Sequence, residues 1–483
     1  MKSKLVLLGL VAGVFKRVRH IAALLIFLLG LQCAQTYGQV VATWTDTTGD
    51  WSNASNWSTN PVVPNNSGGT TYKVIIAAPN SNVRLFFSGT INNLRLGSTD
   101  SLIIDEASLS LVSGTSLNRG TIRMTEAALI NDSGARLINN GTITGCCFAN
   151  VSNSGIFIND SLLSLLGDAG LGNTAGAHFI NTGTITADSL GFFNAGKFDN
   201  SGTMNVSSVL DPSNLFNTGT FRNSGTINLD LSFPSSSFSN SGKFNNSGTI
   251  TISADCFEEG CIIPISNTGT VNNSGTLNIS GTSSSFTNSG SVIISRPGVF
   301  ITSTNYTQAA GRTVVNGVLT ASGGAMVNIQ GGTLGGTGTI NGNVMMAGTL
   351  KPGDAPGTLT IFGNYEQTST GTFDELLSPS SHSLLDVNGE AILDHGTGLE
   401  IALLNGFNPI DQRFDIMNYS NLTGVFANGS SFWDDGFLWD VTYGPNQIDI
   451  TAVQTPEPGS LLLLGAGLTG LVWRRFSIPP RRD

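Results

Sequence analysis

The stretch Asn217-Thr218-Gly219-Thr220-Phe221-Arg222-Asn223-Ser224-Gly225-Thr226-Ile227 decides the fold. It repeats one short unit, Asn-x-Gly-Thr and an apolar residue, so that Gly219 and Gly225 lie six apart. The same glycine doublet recurs at Gly196/Gly202, Gly242/Gly248 and Gly269/Gly275, with related units at Asn140-Gly141-Thr142-Ile143 and Asn181-Thr182-Gly183-Thr184-Ile185. The first three doublets follow one another at 23 residues and the fourth comes 27 after the third. The extra four residues coincide with Cys256 to Cys261, as expected of a loop inserted on one turn. A fixed period of about 20–25 residues in a Gly- and Asn-punctuated chain is that of a solenoid. Segments such as Thr-Ile-Thr alternate polar and apolar residues, so one side of each strand points inward. Asn and Gly read as turn residues because both tolerate positive φ. Stacked asparagines are expected to form amide ladders between coils. The fold class is therefore all-β, a parallel β-helix or solenoid. About twelve coils rising roughly 4.8 Å each would make a rod on the order of 60 Å long.

Composition agrees. Only 11% of the 483 residues are charged and 60 are glycine. Nine of the 22 basic residues lie in the two ends, leaving 13 against 30 acidic residues between 43 and 455, a net charge of −17. Such a body does not bind nucleic acid through counterion release and has no basic patch for anionic lipid. Cys256 and Cys261 bracket Phe257-Glu258-Glu259-Gly260 and can close a small disulfide loop in an oxidising compartment. Cys146 and Cys147 are adjacent, where a disulfide would be strained. There is no CxxC pair and no His-Cys cluster at ligand spacing, so no metal site and no cofactor is expected.

The ends differ from the middle. Trp44, Trp51 and Trp57 fall within a short polar segment and are read as a cap over the first coil, with a carbohydrate-stacking platform as the alternative. Trp433, Phe437 and Trp439 are expected to cover the last coil. The segments Phe414-Asp415-Ile416-Met417 and Gln447-Ile448-Asp449-Ile450 alternate as strands of a small C-terminal β module. From Gly335-Gly336-Thr337-Gly338-Thr339-Ile340-Asn341-Gly342-Asn343-Val344 to Gly348-Thr349-Leu350-Lys351-Pro352-Gly353-Asp354-Ala355-Pro356-Gly357-Thr358-Leu359-Thr360-Ile361 the chain resembles the passenger region of bacterial autotransporter adhesins. That resemblance implies a right-handed β-helix. The translocator barrel of an autotransporter is missing from this sequence.

In its place stand Pro456-Glu457-Pro458-Gly459, fourteen uncharged residues from Ser460 to Trp473, then Arg474-Arg475. Fourteen residues of helix span roughly 21 Å, short of the ~30 Å hydrocarbon core, and the arginines favour the cytoplasmic side. This order of Pro-Glu-Pro, short apolar helix and basic pair resembles the PEP-CTERM sorting signal of Gram-negative bacteria. The resemblance implies recognition by exosortase, a membrane protease-transpeptidase, with transient residence in the inner membrane. Ser477 to Asp483 extends beyond the usual end of that signal. At the other end, Lys2, Lys4, Lys16, Arg17 and Arg19 accompany apolar stretches Leu5–Phe15 and Ile21–Leu31, the second of signal-peptide length. Cleavage after Gly38 or Ala42 is expected. Gln32 before Cys33 departs from a lipobox, which argues against a lipid anchor.

A β-helix can also carry catalysis, but a lyase or glycosidase needs carboxylates converging on one face. Asp374-Glu375 and Asp434-Asp435 come closest. Neighbours on a strand face opposite ways, and both pairs are read as solvated surface charge. His178, His382 and His395 have no Gly-x-Ser-x-Gly elbow to serve. No catalytic residue is assigned.

The chain is thus divided into a signal peptide (1–42), an N-terminal cap with the first coils (43–117), the repeat solenoid (118–300), Gly-rich coils (301–362), a C-terminal β module (363–453) and the sorting tail (454–483). The expected function is that of an exported, non-enzymatic surface or matrix protein, adhesive or structural, in an exopolysaccharide or biofilm setting. Its expected partners are exosortase and surface glycans. A secreted carbohydrate-active β-helix enzyme is the alternative.

Overall fold

The computed structural model describes residues 38–208, 211–256, 258–353 and 356–453. They wind into a parallel β-solenoid whose coils cross three faces. The first face is a 17-stranded sheet, from Gln39–Thr43 to Gly398–Leu403. The second and third faces merge into one 34-stranded sheet. They merge because Leu162–Asn173 and Thr184–Asn194 run round the corner between them. A central circuit reads Thr220–Asn223 on the first face, Thr226–Asp230 on the second and Ser237–Asn240 on the third. Each strand pairs in parallel with its counterpart one coil on, Phe221 opposite Phe244 for example. With 17 first-face strands among the described residues, the rod is roughly 75–80 Å long at about 4.8 Å per rung. It exceeds the expected twelve coils because strands without the Asn-x-Gly signature continue the same ladder at both ends.

The glycine doublet marks the two corners flanking the first face. Gly219 precedes Thr220–Asn223 and Gly225 comes after it, which sets their spacing. Positive φ is not the reason for these residues: neither the corner asparagines nor these glycines adopt it. Close approach is the reason. A Cβ on Gly225 would lie 2.1 Å from the Gly202 carbonyl oxygen, and one on Gly248 would lie 2.1 Å from that of Gly225.

The expected amide ladders form, and there are two. One rises through Asn118, Asn139, Asn159, Asn181, Asn200, Asn223, Asn246 and Asn273, each Nδ2 donating to the next Oδ1 at 2.7–2.9 Å. The other runs from Asn131 through Asn153, Asn173, Asn194, Asn217, Asn240 and Asn267 to Asn288, at 2.7–2.8 Å. All these side chains are buried. The Nδ2 groups also reach backbone carbonyls, as Asn200 does to Thr226 O at 3.3 Å. A buried amide is tolerable only when so satisfied. Beneath the first face, Phe157, Phe179, Phe198, Phe221 and Phe244 stack with centroids 4.6–4.9 Å apart and planes within 13°.

At the N-terminal end Trp44, Trp51 and Trp57 are at most 1% exposed. Trp57 packs edge-on against Trp44 and Trp51 at 5.0 and 4.8 Å. They cap the first coil, and a sugar-stacking platform is ruled out because no ring face is open. Gln39–Thr43 pairs with Thr71–Ile75, and Ala42 is fully buried. Cleavage after Gly38 leaves this strand whole, whereas cleavage after Ala42 removes it. At the C-terminal end Arg413–Asn418 pairs antiparallel with Gln447–Val453, which pairs with Phe437–Tyr443 and so on to Ser431–Asp434. A bulge between Asp415 and Met417 breaks the expected alternation, so Ile416 and Met417 are both buried. Trp439 is buried and Phe437 packs partly against the core, but Trp433 is 63% exposed. Trp433 sits on the outer strand of the hairpin and is not packed against the core.

Candidate functional site

First-face strands present alternate residues outward, so one column carries His178 beside Lys197 and the next carries Asp199 beside Arg222. The Asp199 carboxylate accepts from His178 Nε2 at 2.7 Å and Lys197 Nζ at 2.6 Å, and Arg222 stands 3.9 Å away. Burial alone would raise the Asp199 carboxyl, but the hydrogen bonds from Lys197 and His178 outweigh it and hold it below the usual carboxylate range. Sequence reading passed over this network. The signal was available: aligning Phe179 with Phe198 one coil apart puts His178 next to Lys197.

Of the carboxylate pairs read as solvated charge, Asp374 and Glu375 are buried, whereas Asp434 is half-buried and Asp435 exposed. Glu375 is fully buried, and neither carboxylate oxygen has a partner at hydrogen-bonding geometry. Burial pushes its carboxyl well above the usual range. The Ser383 amide offsets part of that push, and the Asp374 and Asp415 charges add to it. Asp374 faces the other way and pairs with Lys351. Asp434 and Asp435 accept hydrogen bonds from Ile401 and Leu403 backbone amides. These four acids serve the fold because each lies on or against the last coils rather than on a free face.

His382 Nε2 hydrogen-bonds to Asp415 at 3.0 Å. Among the described residues no serine hydroxyl hydrogen-bonds to either His178 or His382, and no three His, Cys, Asp or Glu side chains converge as a metal site. Cys256 and Cys261 are joined by a disulfide with Cα atoms 6.1 Å apart, in the corner between the second and third faces. Cys146 and Cys147 are free thiols, the second exposed.

Pro456, Glu457, Pro458, Arg474 and Arg475 lie outside the described residues, as do the apolar helix expected over 460–473 and most of the signal peptide. Fold and sequence together define a β-solenoid ending in a C-terminal signal. That signal matches the family of the PEP-CTERM protein-sorting motif over residues 454–475. No curated protein matches the chain. The chain carries a PEP-CTERM sorting signal, which marks an exported protein processed by exosortase at a membrane.

Proposed function

We propose that the protein is a non-enzymatic rod, structural or adhesive, displayed at the surface or in the extracellular matrix of a Gram-negative cell after exosortase processing in the inner membrane. The observation that carries this is the continuity of the two buried amide ladders, which tie each central coil to the next and make a stiff spacer. The autotransporter-like sequence of 335–361 favours an adhesin role, and the association of PEP-CTERM tails with exopolysaccharide favours a biofilm setting. Outward Thr, Ser and Asn side chains recur on successive coils, so weak contacts with surface glycans gain strength by repetition. Asp374 is paired with Lys351 and Asp434 and Asp435 are held by backbone amides, which supports binding rather than cleavage.

Fractionation of cells making wild type or the Pro456→Ala/Pro458→Ala variant tests this reading. Wild type should reach the surface or medium shortened at its C-terminus, and the variant should stay uncleaved in the inner membrane. A mature wild-type protein whose mass still includes Trp473 to Asp483 would sink the proposal. Release of sugars from a polysaccharide panel would sink its non-enzymatic part.

A further inference from the structure

Along the corner at the downstream edge of the first face runs an open groove of about 510 Å³. Its one wall is the outward column Arg222, Asn245 and Asn272; the other is the corner column Ser224, Ser247 and Ser274. It crosses the rungs from Asp199 to Ser295, roughly 20 Å at about 4.8 Å per rung. We infer that this groove binds an extended, uncharged polysaccharide lying parallel to the solenoid axis. This rests on the adhesive reading above and gives it a site and a ligand class.

The chemistry of the walls selects the ligand. Asn272 Nδ2 donates to Asn245 Oδ1 at 2.8 Å, which leaves Asn245 Nδ2 as a free donor and Asn272 Oδ1 as a free acceptor. The Ser224, Ser247 and Ser274 hydroxyls donate to backbone carbonyls one coil back at 3.2–3.5 Å. Their lone pairs remain turned to the groove, so that wall accepts. A ligand that both donates and accepts at short intervals fits, and a sugar hydroxyl does both. An anion only accepts and a cation only donates.

Charge points the same way. The groove's charges, Asp199 and Arg222, lie together at one end, where Asp199 is engaged by Lys197, His178 and Arg222; its lining from Asn245 to Ser295 is uncharged, and the acidic body repels polyanions. The walls carry no exposed apolar side chain for a lipid or hydrophobic peptide. Backbone groups at this corner are paired between coils, as Ser247 N is with Asn223 O, so a peptide finds no strand edge to join. With no ring to stack on, each sugar is held weakly, and the recurrence of the same groups on each rung supplies the length dependence.

The test is titration calorimetry of the purified exported protein with cellohexaose, laminarihexaose, maltohexaose and, as acidic comparator, hexagalacturonate. At least one neutral hexamer should bind, more tightly than its trimer and with little dependence on salt. Asn245→Ala/Asn272→Ala should weaken it about tenfold with unchanged thermal unfolding. Asn205→Ala/Asn228→Ala removes a like amide pair from the second face and should leave binding unchanged. No neutral binding, equal binding of hexagalacturonate, or equal loss in both double variants would overturn the inference. Surface display scored in parallel separates the two proposals. A displayed protein that binds no hexamer removes only the groove, and a protein that never reaches the surface removes the broader reading whatever the groove binds.

Discussion

The Asp434 carboxylate accepts a hydrogen bond from the Ile401 amide at 2.7 Å. Asp435 accepts from Leu403 and Asn428 from Leu399, each at 2.8 Å. These are alternate residues of Gly398–Leu403, the last strand of the first face. Their amides would otherwise point to a further coil, which the ladder lacks among the described residues. Three side chains stand in for the missing strand and block its use as a template by another molecule.

Removing those stand-ins should expose the edge. Asp434→Ala/Asp435→Ala is expected to lose about 1–3 kcal/mol in denaturant unfolding and to self-associate with rising concentration in sedimentation velocity. Asp434→Asn/Asp435→Asn keeps an acceptor oxygen at each position and should remain monomeric. An alanine variant that stays monomeric at high concentration would show that the edge is guarded by something else.

The amide ladder should be most sensitive in its middle. Asn223→Ala takes a partner from the Asn200 Nδ2 donor below it and from the Asn246 Oδ1 acceptor above it. Two buried groups losing a partner should cost about 2–4 kcal/mol. Asn273→Ala, at the other end of that ladder, takes a partner from only one ladder neighbour, Asn246, and should cost about half as much. Equal costs in urea unfolding would argue that the rungs act independently.

Glycines should divide by what lies above them. Gly225→Ala drives a Cβ to 2.1 Å from a backbone oxygen that cannot move aside, so the coils must separate and a loss above ~3 kcal/mol or failure to fold is expected. Gly172→Ala meets nothing within 4 Å and should lie within about 0.5 kcal/mol of wild type. A well-tolerated Gly225→Ala would contradict close contact between coils.

Glu375 ties stability to pH. Its folded carboxyl titrates well above its unfolded value because it is buried. The folded state therefore holds a proton that the unfolded state releases. Its contribution is complete below the unfolded value near 4.3 and is lost as pH rises toward the folded value, by at most about 1.4 kcal/mol per unit. Glu375→Gln should remove that slope and be more stable than wild type at neutral and alkaline pH. Parallel pH profiles for the two proteins would refute the assignment.

Much of the solenoid was legible because Asn, Gly and the apolar residues recur in phase, and phase survives without knowledge of contacts. The reason for the glycines was not legible. Crowding against Gly202 depends on how near the next coil lies, which no single unit records. Glu375 escaped for a related reason: a strand reading places alternate residues on one face but cannot say which coil covers them. Asp435 is exposed as read, but the backbone partners of Asp434 and Asp435, Ile401 and Leu403, lie 33 and 32 residues away and leave no local trace. The groove was hidden in the motif itself, which leaves open both the residue before each ladder asparagine and the one after it.

The stacking of Gly248 over Gly225 repeats that of Gly225 over Gly202. These corner contacts carry no mark of their own place in the order. Whole coils of 23 residues are therefore interchangeable parts, and gain or loss of one changes the reach of the rod by about 5 Å while both finished ends stay as they were. Slippage between such similar stretches of the coding sequence should yield a range of viable lengths rather than a damaged protein. Reach becomes a trait that heredity can adjust in fixed steps.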